Sequence, residues 1–142
     1  MAIHFFSEEV KFKLSGQKKS IAWLKAAIRK EGGKVLSLNY IFCSDEYLKK
    51  INIEYLNHHT YTDIITFDYN PSEKEIDGEI YISIDRVREN ADSFKTRFQT
   101  ELHRVMIHGV LHLLGFKDKS KSEKALMREK EDTYLSLLHK SR

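Results

Sequence analysis

The chain has 142 residues, 41% of them hydrophobic, with a formal charge of +3 and an isoelectric point near 8.9. That size supports one domain with a real core rather than two, and the mild basicity permits an anionic partner such as nucleic acid without demanding one. A single cysteine, Cys43, excludes an intramolecular disulfide, no stretch approaches the roughly 20 apolar residues of a membrane span, and residues 1–6 lack the features of a secretory signal, so the expectation is a soluble cytoplasmic protein.

Residues 2–6 read as a short first strand, and residues 17–31 as a helix with Ile21, Leu24, Ala27 and Ile28 on one stripe, ended by Gly32 and Gly33. Residues 34–43 alternate Val35, Ser37, Asn39 and Ile41 with Leu36, Leu38, Tyr40 and Phe42, the pattern of a half-buried strand. Ser44 caps a helix running to about residue 56, with Asp45 and Glu46 in its dipole-favoured first turn. The polar connection at 57–61 carries His58 and His59, which as loop residues are expected in solvent, with an acid or base role open to them only if the loop reaches a cleft.

Residues 63–69 and 78–84 read as two strands, and the loop at 70–75, with the only proline, makes them a hairpin. A short helix follows over 85–94, then a longer one from 96 or 97 to 114. Ser120 and Glu123 have capping-box spacing for a last helix to about residue 138, with Leu126, Met127, Tyr134, Leu137 and Leu138 as its buried stripe. The order gives an α+β fold in a single domain spanning 1–142, a small sheet covered by helices with the histidine-bearing helix at its centre.

That helix carries the chemistry. His108 and His112 are four apart, so both imidazoles lie on one face, one turn above the other. Gly115 supplies a left-handed C-terminal cap at little steric cost, and the turn it makes can bring Asp118 back toward the two rings. In a chain with seven histidines such a pair arises readily by chance. The apolar setting of Val105, Met106, Ile107, Val110, Leu111, Leu113 and Leu114 argues against chance, because unpartnered imidazoles there would be costly. Two nitrogens and one carboxylate oxygen suit zinc, one per chain, and three protein ligands leave a fourth position for water. The expected function class is a metal-activated hydrolase.

Zinc peptidases of the His-Glu-x-x-His type place their general base directly after the first histidine, and that position here is Gly109. Glu101, two turns earlier on the same face, and Asp63, at a strand start, are the weak acid or base candidates, and the catalytic group itself stays unassigned beyond an activated water. Arg97, Arg104, Lys117, Lys119, Lys121 and Lys124 could form a positive rim, although lysines interspersed with Glu123, Glu129, Glu131 and Asp132 also describe an ordinary solvated helix.

Three segments together resemble the bacterial YbeY family of metal-dependent endoribonucleases: residues 62–67 (TDIITF), residues 78–83 (GEIYIS) and residues 108–118 (HGVLHLLGFKD), in the family's order and at about its spacing. The resemblance implies a mixed sheet of about four strands with helices packed on it and a zinc site at the end of the long helix. It also implies cleavage of single-stranded RNA in ribosomal RNA maturation and ribosome quality control, with ribosomal RNA precursor and the ribosome or a ribosomal protein as partners. Two departures accompany it. Asp118, preceded by Lys117, stands where the family usually has a third histidine, and Leu56 stands where it commonly has an arginine associated with RNA phosphate. An anionic ligand should make the site's water somewhat less acidic. The alternatives are a ribosome-assembly factor with a mainly structural metal and a metal-dependent hydrolase of another small substrate.

Overall fold

A computed structural model describes residues 2–56 and 62–140 of the chain. Among the described residues nine elements follow in order: β1 (Ile3–Glu8), α1 (Gln17–Lys30), β2 (Lys34–Cys43), α2 (Asp45–Leu56), β3 (Ile64–Asp68), β4 (Glu75–Ser83), α3 (Ile84–Ser93), α4 (Phe98–Leu113) and α5 (Lys121–Lys140). The α+β reading and the four-stranded mixed sheet hold. His58 and His59 lie outside the described residues.

The sheet order is β1-β2-β4-β3. β1, β2 and β4 run parallel, and β3 closes the edge as the antiparallel arm of the expected hairpin. Because side chains alternate across a strand, the two sheet faces bury different sets. Leu38, Tyr40 and Phe42 of β2 with Ile76, Ile80 and Ile82 of β4 join the main core with α1, α4 and α5. Cys43 and Ile65, on the other face, pack with Leu48 of α2 in a smaller cluster edged by Tyr47, Ile51, Phe67 and Tyr81. β2 is therefore not half-buried throughout: its last four residues are buried on both faces, since strands flank it and helices cover it there.

Helix ends follow their local chemistry. The Ser44 hydroxyl accepts from the Tyr47 amide at the start of α2. The capping box at α5 forms in both directions, the Glu123 amide donating to the Ser120 hydroxyl at 3.1 Å and the Ser120 amide to the Glu123 carboxylate at 2.8 Å. Ser83 caps α3 by accepting from the Arg86 amide at 3.1 Å. The buried stripe of α5 is Met127, Glu131, Tyr134, Leu135 and Leu138, while Leu126 and Leu137 are exposed at 43% and 38%. The expected stripe was thus rotated at two positions.

Two buried polar side chains lock helices onto this core. The Tyr40 hydroxyl, fully enclosed, donates to the Met106 carbonyl at 2.9 Å and ties the sheet to α4. Burial holds its ionisation well above the ordinary tyrosine range. The Trp23 indole donates to the Tyr134 carbonyl at 2.7 Å and ties α1 to α5. α4 packs tightly on the sheet at Gly109, where an added Cβ would stand 2.9 Å from Ile80 Cδ1 and 3.0 Å from Ile64 Cδ1. That contact seats the histidine turn over the β3–β4 edge, and it leaves no room for a glutamate beside His108.

Candidate metal centre

α4 buries nine of its residues, with His108 and His112 on the flank of that buried surface, their side chains 22% and 30% exposed. The helix ends in a Schellman turn. Gly115 has φ of +104°, its amide donates to the His112 carbonyl, and the Phe116 amide donates to the Leu111 carbonyl, each at 3.0 Å. This reversal carries Asp118 over the end of α4.

Asp118 Oδ2 lies 3.3 Å from His108 Nε2 and 3.3 Å from His112 Nε2, and the two Nε2 atoms are 3.1 Å apart. The three atoms make a nearly equilateral triangle. A tetrahedral ion with bonds of about 2.0–2.1 Å to each ligand sets edges of about 3.3–3.4 Å, so the triangle fits a zinc-sized cation almost without movement. The His-His-Asp group is one that could hold a metal ion, and its donor set suits zinc and its neighbours.

Two corners of the triangle, His108 and Asp118, line a cavity of about 290 Å³ whose wall also includes Asp63, Glu101, Arg104 and Glu131. Here the structure departs from expectation. Glu131 is not a solvated helix residue: it is 5% exposed, with Oε2 2.7 Å from His108 Nδ1 and Oε1 accepting from Arg104 at 2.9 Å. Arg104 is correspondingly no free rim cation, since its other terminal nitrogen donates to Asp132 at 2.7 Å. Lys117, Lys119, Lys121 and Lys124 are exposed beside the turn, as is Arg97 at the start of α4.

Burial dominates the electrostatics of the wall. It raises the carboxyl pKa of Asp63, partly offset by backbone hydrogen bonding and by His108 and Arg86, and that of Glu101, partly offset by Arg104. For His108 burial works against protonation, but the hydrogen bond and charge of Glu131, with Asp118 and Asp63, outweigh it and raise the pKa. Glu101 is 6% exposed, so it lies buried at the site, and Asp63 receives a long contact of 3.5 Å from the Asn90 side-chain amide. Leu56, at the end of α2, is 42% exposed.

Sequence reading missed Glu131 as a partner of the site. A signal was present, because residues 127, 131, 134, 135 and 138 carry the helical spacing of a buried stripe, and a carboxylate in it requires a partner.

Comparisons with known proteins bear on the family. The family model described as endoribonuclease YbeY matches residues 2–139. A Flavobacterium psychrophilum protein named endoribonuclease YbeY is 53% identical over 134 residues, covering 94% of this chain and 95% of that protein. A Cytophaga hutchinsonii protein of the same name is 50% identical over 135 residues, covering 95% and 94%. A Thermotoga maritima protein solved in solution superposes with a TM-score of 0.69 at 31% identity, covering 96% of this chain and 88% of that one. With the fold, the histidine helix and these matches in agreement, the chain belongs to the endoribonuclease YbeY family.

Proposed function

We propose that this chain is a single-domain, zinc-dependent endoribonuclease that cuts single-stranded RNA during ribosomal RNA maturation and quality control. His108, His112 and Asp118 hold one zinc per chain, and the cytoplasm is its compartment. The observation that carries the reading is the ligand triangle with edges of 3.1 to 3.3 Å, beside a cavity in a chain of an endoribonuclease family. No described helix is long and apolar enough to cross a membrane.

A bound zinc supplies Lewis acidity toward a phosphoryl oxygen and lowers the pKa of water toward ~7. The chain's own residues do the rest. Asp63 and Glu101, whose pKa values burial raises, sit on the cavity wall, where a carboxyl can hold or pass a proton. The exposed lysines at 117, 119, 121 and 124 offer phosphate contacts beside the site.

A second reading, a ribosome-assembly factor with a mainly structural metal, draws support from the cavity wall itself. That wall carries Asp63, Glu101, Asp118 and Glu131, and its Arg104 is already paired. The decisive assay incubates zinc-loaded protein with matched single- and double-stranded RNA, with His112→Ala as control. Cleavage of the single strand only, reduced at least a hundredfold in the variant, is the expected result. Metal-loaded, folded protein that leaves both RNAs intact would instead favour the assembly factor.

A further inference from the structure

We propose that Glu131 is a positioning residue for the metal site, holding His108 from α5 in the tautomer that carries its proton on Nδ1 and leaves Nε2 free for a cation. The inference rests on the ligand reading of His108, His112 and Asp118 and adds a residue from a different helix to it.

Three observations combine. The Nδ1 to Oε2 separation of 2.7 Å is that of a charge-assisted hydrogen bond. The second carboxylate oxygen accepts from Arg104 at 2.9 Å, so both oxygens of Glu131 have donors and its plane is fixed. Arg104 and His108 are one turn apart on α4, and Glu131 bridges them from the buried stripe of α5. An apolar side chain would otherwise continue that stripe through Met127 and Tyr134. The His108 ring thus has its two nitrogens committed to opposite sides, Nδ1 to Glu131 and Nε2 to the triangle with His112 and Asp118. An acceptor on Nδ1 keeps the proton there and makes Nε2 a better electron donor, and loss of such partners commonly weakens metal binding ten- to a hundredfold.

The test measures zinc affinity, by competition with a chromophoric chelator, for the parent protein and for Glu131→Ala, Glu131→Gln and His112→Ala, with folding of each checked by circular dichroism. Glu131→Ala should bind zinc roughly ten- to a hundredfold more weakly. Glu131→Gln, which keeps an acceptor oxygen, should recover part of that loss. Parental affinity in both Glu131 variants, with affinity lost in His112→Ala, would overturn the positioning role alone. Parental affinity in His112→Ala would contradict the ligand reading itself. Nitrogen NMR on the metal-free parent, above the titration of His108, gives an answer that needs no variant. The proton should be found on Nδ1, and a dominant Nε2–H tautomer would overturn the proposal.

Discussion

His112 Nε2 and Asp118 Oδ2 stand 3.3 Å apart although a helix end and a chain reversal separate them. Their meeting depends on Gly115, the only residue between them in the left-handed half of backbone space, with φ of +104°. A Cβ there meets no neighbour within 4 Å, so the penalty for alanine is conformational rather than steric. Gly115→Ala should lower stability by about 1–2 kcal/mol. It should also weaken zinc binding by displacing Asp118. Thermal unfolding with and without zinc reads both effects; a variant that keeps the parent's midpoint in each condition would show that the turn does not need this glycine.

Gly109 acts through space instead of backbone. Alanine there gains about 1 kcal/mol of helix propensity but drives its Cβ to 2.9 Å from Ile80 Cδ1 and 3.0 Å from Ile64 Cδ1, and overpacking of this kind costs about 1–3 kcal/mol. Gly109→Ala should be net destabilising, by roughly 1 kcal/mol, measured by urea unfolding. A stabilised variant would mean that the two isoleucines move aside freely.

The raised pKa of His108 makes the metal-free protein sensitive to pH. Folding favours the protonated ring, so its contribution is fully present below the unfolded pKa of about 6.5 and is lost as pH rises through the folded value. Asp63 and Glu101, also raised, act in the same direction, and the window set by His108 opens above about 6.5, the ordinary histidine value. The melting temperature of zinc-free protein should fall as pH rises through that window, and Glu131→Gln should flatten the fall. A midpoint that climbs with pH there would contradict the Glu131 and Asp118 interactions.

Leu56 bears on substrate binding. It is exposed, so Leu56→Arg should leave the fold intact, tighten binding to single-stranded RNA and steepen the salt dependence by about 0.7 of a unit of slope. Binding titrations at several salt concentrations test this. An unchanged slope would place position 56 away from the RNA path.

The features set by local chemistry were legible in the sequence. Ser44, Ser120 with Glu123, and Gly115 each act on backbone groups within a few residues, and each does what its type and spacing imply. The meeting of His108 and His112 with Asp118 belongs with them, since only one turn intervenes. Strand order was not readable, because β2 pairs with β4 across the whole of α2 and β3. The same pairing lengthens β4: Glu75, against Lys34, and Asp77, against Ser37, join the ladder through backbone bonds although their side chains look like loop. On α5 two overlapping stripes were possible. The packing selects the one that contains Glu131 and Leu135 over Leu126 and Leu137, and a charged residue hid the choice because charges are solvated by default.

Metal content is the most direct test of the account. Protein prepared without a histidine tag should contain about one zinc per chain by elemental analysis, and His112→Ala and Asp118→Ala, each shown to be folded, should contain almost none. Parent protein that binds no metal and gains no stability on adding zinc, or variants that keep full occupancy, would contradict the assignment of the triangle as the metal site.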